Sequence, residues 1–579
     1  MDILLADASH EQTPATGTKI ATILGELPEP DHRPASANGD RVMKLNRRHL
    51  LAGTAAVATA PYLGGRAEAQ TRAETLRYVT GAAVNTLDPT MPGSTREAFG
   101  VSVNVYDRLV SFGRKQRDGN WVFDIDNIRG EIAEKVDISP DGMTFTFHIR
   151  KNAKFHDGTP VTAADVKWSY DRAVSARSLA AAQIGTGSWT KPEQFTIVDT
   201  HTVVGKIDKP DRLALPNLCT LYAIVFNSTL VKKHVTPQDP WGQAWTKDNT
   251  AGSGAYTVES FRPGEQVILR RNDAWTGGVD GKPAPFRRII CQTIPEAATR
   301  ASLIEKGDAD LSIDLQPSDI DTLVQRGRVK AISTPQFNAF SMIAFNTKMP
   351  PFDNKKVRQA IAAALPYDSL FKAGLFERGA KLYGGTWSGT PNDASFPQPM
   401  PYKQDVAKAK ALLTEAGFPN GFDTFFAFNL GSAAFAEPIA ALVKEALAAI
   451  NIRVEIQKLP DAQISTMVTE RKLPFFIETS IAWLPSTDYF FRTFLYGPQR
   501  WNYSGWNDQR IADIAEKARF ETDKAKYDAA CKEMIAIMAE ETPIVMLWQP
   551  NQDAVMPKNI DGYTYGYHRQ VDFRDVKRT

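Results

Sequence analysis

Apolar and polar positions along this chain switch between two periods, and the clearest switch lies between residues 139 and 175. Met143, Phe145, Phe147 and Ile149 alternate with Thr144, Thr146, His148 and Arg150, the period of a half-buried strand. Asp157-Gly158 supplies a turn. Thr162, with Asp165 three residues on, then forms a capping box for a helix whose inner face is Val166, Tyr170, Ala173 and Val174. Upstream, residues 75–80 read as a strand, and Val101, Val105 and Leu109 fall at helical spacing, with Tyr106 read as core. Strand-like segments follow at 195–207 and 222–227. Residues 297–306 form a short amphipathic helix stopped by Gly307, and Leu311, Ile313 and Leu315 alternate beyond it.

The second half repeats the mixture. One helix buries Val357, Ala360, Ile361, Ala364 and Leu365. Residues 379–391, rich in Gly, Thr, Trp and Pro, show no periodicity and read as a loop, the kind of segment that carries binding groups such as Trp387. A helix over 406–416, capped by Asp405 and stopped by Gly417, precedes a strand at 425–429. A further helix at 438–450 buries Ile439, Leu442, Val443, Ala446, Leu447 and Ile450, and Ile452, Val454 and Ile456 alternate after it. Strand, helix and strand within roughly thirty residues make a βαβ unit with a parallel pair, so the fold class is α/β. A helix from about 508 to 540 then leads into the apolar strand Pro543 to Trp548. No internal repeat is evident.

The N-terminal region has a different character. Residues 1–42 are polar and aperiodic and read as disordered or foreign to the native product, with Met43 as the expected start. Arg47-Arg48, an apolar run of about eleven residues to Ala60, and an A-x-A site at Ala67-Glu68-Ala69 make a secretory signal ending before Gln70. The paired arginines resemble a twin-arginine signal, and a basic-flanked core helix is the competing reading. No other stretch approaches eighteen apolar residues, so the mature protein is expected to be soluble outside the cytoplasm.

Composition removes several functions. The chain has 579 residues, enough for more than one core, and its 68 Lys plus Arg nearly balance 66 Asp plus Glu, which argues against nucleic acid as a partner. Cys219, Cys291 and Cys531 lack metal-ligand spacing; buried free thiols are the expectation, against one disulfide, for which Cys219 with Cys291 is chemically permitted. No G-x-S-x-G or H-E-x-x-H occurs, and Gly277 to Lys282 falls one residue short of a phosphate loop. In Gly252-Ser253-Gly254-Ala255-Tyr256-Thr257 a threonine stands where a dinucleotide loop needs its third glycine, so a turn before a strand is the better reading. His148 points away from the apolar side of its strand, and His156 belongs to a turn. What is concentrated is aromatic and amide chemistry near the C-terminus: Trp483, Asp488, Tyr489, Arg492, Trp501 and Asn502, groups that can wall and anchor a binding cleft.

The wording of these segments carries a resemblance. Ser139-Pro140-Asp141-Gly142, the alternating strand, Phe155-His156-Asp157-Gly158-Thr159-Pro160 and Thr162-Ala163-Ala164-Asp165-Val166 closely resemble a signature of the extracytoplasmic solute-binding proteins of family 5, the peptide- and nickel-binding subunits of ABC importers. Asn85-Thr86-Leu87-Asp88-Pro89, Val105-Tyr106-Asp107-Arg108-Leu109-Val110 and Phe345-Asn346-Thr347 with Pro351-Phe352-Asp353 match it too, although Pro366-Tyr367 replaces its usual Asp-Arg. The resemblance implies a two-lobed periplasmic-binding-protein fold of type II: lobe I from 70–335 plus 545–579, with an extra subdomain at about 116–200, and lobe II from 336–544. It further implies a hinge, a peptide-like or other small polar solute, a membrane permease as partner, a monomer in the periplasm and no cofactor. Its ligand-lining segments point to Asn85, Trp387, Trp483, Asp488, Tyr489, Arg492, Trp501 and Asn502. Peptide binders of this family hold the ligand's ammonium with an Asp at the place where Trp483 stands here. Either Asp488 takes over that role, or the ligand lacks a free amine there and stacks on Trp483. A secreted hydrolase with carboxylates in the same cleft is the rival reading.

Overall fold

The computed structural model describes residues 72–276 and 283–579. The expected leader, the 1–42 extension and the near-match to a phosphate loop at 277–282 lie outside the described residues. The chain enters the fold through Thr75–Thr80 (β1), with Leu76, Tyr78 and Val79 buried. Helix Arg96–Val105 (α1) follows and ends before Leu109. The cause is the 252–254 segment, which crosses its C-terminus: Gly254 N–H donates to Val105 O at 2.9 Å. A β-carbon at residue 252 would lie 2.1 Å from that same oxygen, so glycine here serves backbone approach rather than a phosphate.

Val110–Arg117 (β2) and Asn120–Gly130 (β3) form a hairpin. Ala133–Ile138 (β4), Thr144–Ile149 (β5), Phe195–Asp199 (β6) and Thr202–Lys206 (β7) form an antiparallel sheet in the order β4-β5-β7-β6. The predicted alternation holds: Phe145, Phe147 and Ile149 are buried while Thr144, Thr146 and His148 are half-exposed. Beneath them Trp189 stacks on Phe195 at 4.7 Å, and Tyr170 of helix Ala163–Ser175 (α2) meets Phe195 edge-on. Thr162 opens α2 as predicted, its N–H and hydroxyl donating to Asp165 at 3.1 and 2.7 Å. Segment 222–227 is not a strand. Asn227 instead caps the short helix Ser228–Val231, and what precedes it keeps a single bridge, Ile224 with Arg108.

The larger sheet takes Tyr256–Arg262 (β8), Gln266–Arg271 (β9), Arg288–Thr293 (β10), and, after helix Ala297–Lys306 (α3), Leu311–Ser312 (β11), Val329–Pro335 (β12) and Ala339–Phe345 (β13). Helix Lys355–Ala364 (α4), Gly379–Lys381 (β14), helix Val406–Glu415 (α5), Asp423–Asn429 (β15), helix Ala433–Ala448 (α6), Arg453–Leu459 (β16) and Phe475–Ile481 (β17) come next. Helices Gln509–Arg519 (α7) and Lys524–Glu541 (α8) precede the last long strand, Ile544–Pro557 (β18). Among the described residues the order is β16-β15-β17-β13-β18-β11-β1-β10-β9-β8, with β12 and β14 also on β18. β15 runs parallel to both β16 and β17, which delivers the predicted βαβ unit. β13 is buried at every position, the mark of a strand covered on both faces. The result is a two-lobed α/β fold in which β18 pairs with β13 through Ile544 to Trp548 and with β12 through Asn551 to Pro557.

Several expectations are corrected. The 508–540 helix is two helices, because Asp523 caps a new start by accepting from the Ala525 and Lys526 amides. The 438–450 helix begins at Ala433 and carries Pro438 inside. Residues 379–381, expected in a loop, pair with β18. The strand at 311 lasts two residues, yet Leu311, Ile313 and Leu315 are all buried. Cys219, Cys291 and Cys531 are buried free thiols. No helix among the described residues is long and apolar enough to cross a membrane.

Candidate functional site

The predicted site residues fall into different roles. Asp488 sits in the short helix Thr487–Phe490 and is buried. One carboxylate oxygen accepts from Ser486 Oγ at 2.6 Å and Tyr527 OH at 2.8 Å; the other accepts from Arg492 Nε and Nη2 at 3.2 and 3.0 Å. Tyr489 OH donates to Gln183 Oε1 at 3.0 Å, a buried tie to the segment after α2. Asn502, fully buried, braces its own loop by donating to Gly497 O and Trp506 O. Asn85 accepts from the Thr95 amide at 3.0 Å and donates to Gly93 O, holding the residue that precedes α1. Trp387 is half-buried against the core, and Trp501 is 40 % exposed with Arg500 over its ring. Trp483 is covered: it stacks on His568 at 3.8 Å and meets Phe99, Tyr222 and Tyr567 edge-on. The structure thus groups Asp488, Tyr489 and Arg492, and sets Trp483 apart in an aromatic cluster drawn from segments far apart in the chain.

Beside that cluster lie residues that pattern reading missed. Arg96 is the first residue of α1, and among the described residues it has no hydrogen bond or ion pair. Its surroundings push its guanidinium pKa down, with Arg569 adding to the effect, although the side chain is exposed to water. Glu478, on β17, has its carboxyl pushed up by burial and feels the Arg96 charge; one oxygen accepts from the Thr479 amide at 2.8 Å. Burial also raises the phenol of Tyr503, which senses both Glu478 and Arg96. Arg569 is engaged with Glu97 at 2.9 Å and with Asp314. His568 and Arg569 are consecutive non-glycine residues in the left-handed region, at φ 50° and 61°, a strain of roughly 1–2 kcal/mol each. His568 Nε2 and Ser480 Oγ are buried without hydrogen-bond partners. Two signals in the sequence could have exposed the pair: a cation at a helix N-terminus opposes the helix dipole, and Glu478 interrupts an otherwise apolar and hydroxyl-bearing strand.

Chemically this junction offers a cation, a carboxylate and aromatic rings side by side. Among the described residues no group of three or more His, Cys, Asp or Glu could hold a metal ion. The buried ion pairs elsewhere, such as Asp88 with Arg172 at 2.6 Å, are structural and join the 86–90 loop to α2.

Comparison with known proteins agrees with this architecture. The chain is 26% identical over 494 residues to the probable D,D-dipeptide-binding periplasmic protein of Escherichia coli strain K12, covering 83% of this chain and 89% of that one. It is 26% identical over 526 residues to the dipeptide-binding protein of the same organism, with 86% and 93% covered. Among solved structures, the dipeptide-binding protein of Pseudoalteromonas sp. SM9913 in complex with Met-Leu superposes with a TM-score of 0.73 at 20% identity, covering 87% of this chain and 100% of that chain. An ABC transporter-associated periplasmic binding protein from Helicobacter pylori gives 0.70 at 22%, with 88% and 99% covered. Residues 127–502 match the family described as bacterial extracellular solute-binding proteins, family 5 Middle, and the chain belongs to that family.

Proposed function

We propose that the mature chain is the periplasmic receptor of an ABC importer, closing its lobes on a peptide-like or other small polar solute and presenting it to a membrane permease. The observation that carries this reading is the meeting of α1 and the 567–569 turn with β17 and the segment after it: Trp483 packs on Phe99 and His568, and Arg96 and Glu478 feel each other's charge. Charged groups left unpaired on both sides suit a solute that completes them. The names of the relatives, dipeptide-binding and D,D-dipeptide-binding, support a peptide-type solute. In this reading lobe I comprises residues 70–335 plus 545–579, with the subdomain at about 116–200, and lobe II comprises 336–544. The pairing of β18 with β13 as far as Trp548 favours a second crossing a few residues beyond 545. Trp387 and Trp501 serve as walls, Trp483 as packing between lobes, and Asn85, Asp488, Tyr489, Arg492 and Asn502 as braces behind the contact surface. Export follows the twin-arginine route with maturation at Gln70, and the mature protein acts as a monomer. Native mass spectrometry of protein purified without denaturation, followed by incubation with peptides and glycans, tests the function. A released solute and stoichiometric binding without turnover are expected; turnover would support a secreted hydrolase instead.

A further inference from the structure

Residues 183–217 and residues 489–527 meet through side chains that reach in both directions. Arg519, the last residue of α7, donates from Nε to Asp211 Oδ2 at 3.0 Å, and from Nη2 to Gly185 O at 3.0 Å and Ser188 Oγ at 3.1 Å. In return, the Arg212 guanidinium lies 4.0 Å from the ring centroid of Tyr527, whose hydroxyl donates to Asp488 at 2.8 Å. Tyr489 with Gln183 adds a third tie, at 3.0 Å. The first segment is braced from its own side. Asp211, its side chain fully buried, also accepts from Ser188 Oγ at 2.6 Å and from the Leu213 amide at 2.9 Å, and Gln183 donates to Asn217 at 3.0 Å. A β-carbon at residue 187 would lie 2.5 Å from Leu213 O, so this loop is pressed onto the 213–217 segment. Ser188 sits at φ 69°, a left-handed serine whose hydroxyl serves both Asp211 and Arg519. Between the two segments the contact is interrupted: a cavity of about 600 Å³ is bordered by Arg212 and Pro216 on one side and by Ser486 and Lys532 on the other. Directional bonds around a cavity separate more readily than a close-packed apolar core.

We propose that this contact is a latch between the lobes, with Arg519 as a positioning residue that sets solute affinity without touching the solute. The inference rests on the two-lobe reading, whose boundaries give Gln183, Asp211 and Arg212 to lobe I and Tyr489, Arg519 and Tyr527 to lobe II. Closure brings the guanidinium onto Asp211; opening leaves that carboxylate with the Ser188 and Leu213 donors and returns Arg519 to water beside the Phe520 ring. Hydrogen bonds between ionised partners are the stronger kind, so the latch adds a fixed increment to the closed state whatever the solute is. Apparent affinity scales with the share of molecules in the binding-competent state. Every solute therefore gains by the same factor, and selectivity stays with the groups that touch the solute.

The test compares wild type, Arg519→Gln, Arg519→Lys and Tyr489→Phe after dialysis that removes any copurifying solute. Small-angle scattering gives the radius of gyration without ligand, and calorimetric titration gives affinities for alanyl-alanine and alanyl-phenylalanine. Circular dichroism checks that the variants fold. Arg519→Gln should enlarge the radius of gyration and weaken both dipeptides by one common factor, about 10-fold, while Arg519→Lys recovers part of each effect and Tyr489→Phe loses about 3-fold. Saturating dipeptide should return Arg519→Gln to the radius of dipeptide-bound wild type. A folded Arg519→Gln that keeps the wild-type radius overturns the latch, since the contact then lies inside one rigid body. Losses that differ between the two dipeptides overturn it as well, by placing the effect in the solute site. If neither dipeptide binds wild type, the peptide-type reading fails, and the comparison of radii alone decides the latch.

Discussion

Asp488 has no acceptor site left for a ligand, and that decides what its replacement does. A carboxylate offers about four acceptor positions, and Ser486, Tyr527 and the two Arg492 donors occupy them. Asp488→Asn therefore leaves buried Arg492 without its counter-ion and should cost about 3 kcal/mol in a urea titration, while leaving discrimination between free and acetylated peptides unchanged. His156 gives a pH signature. Burial pushes its pKa down to about 4, although its Nε2–H donates to Gly254 O at 3.1 Å and Asp157 lies nearby. The unfolded chain binds that proton near pH 6.5, so stability is full above about 6.5 and is lost as pH falls through about 4, by roughly 3 kcal/mol. Denaturation midpoints of wild type and His156→Gln should converge in relative terms below pH 4 and separate above pH 6.5. Reading by residue type found the aromatic stretch at 483–502 but could not tell a brace from a contact. That distinction depends on who fills each lone pair, which only the folded chain specifies.

Elements were legible where their ends carry chemistry. Thr162 with Asp165, Asp405 before α5 and Gly307 after α3 marked real boundaries because each supplies a cap or a left-handed residue. The break between α7 and α8 was hidden because residues 520–522 hold neither Gly nor Pro, and Pro438 misplaced the start of α6 because a proline usually opens a helix. Between elements, Arg378 is a clasp. Its side chain pairs with Asp553 of β18 at 2.7 Å and with Asp321 at 2.7 Å, and donates to Ser333 of β12, while its carbonyl accepts from the Asn551 amide. Arg378→Ala should lower stability by about 2 kcal/mol and, in hydrogen exchange by mass spectrometry, speed exchange of the amides near 551–553. An exchange pattern unchanged there would show that the clasp does not hold the junction.

For the whole molecule, alternating strands, capped helices and one βαβ unit sufficed for the α/β class, and the family wording supplied the two lobes. Sequence period could not reveal that residues 544–557 would be shared between them, since pairing partners far apart in the chain leave no local trace. Ligand closure should be visible in bulk: at about 100 times its dissociation constant a bound solute raises stability by roughly 2.7 kcal/mol, and small-angle scattering should show a smaller radius of gyration. Tight binding without contraction would sink the hinge account. The sharing of β18 also sets a timetable for biosynthesis. β11, β12, β13 and β14 all pair with a strand that is among the last segments to leave the ribosome. The four-stranded antiparallel sheet has every partner by residue 206, but β13 and β14 wait for residues 544–550 and β11 and β12 for residues 551–557. A nascent chain arrested before residue 544 should stay protease-sensitive outside that small sheet, so the cell handles an unfinished receptor for nearly the whole time of its synthesis.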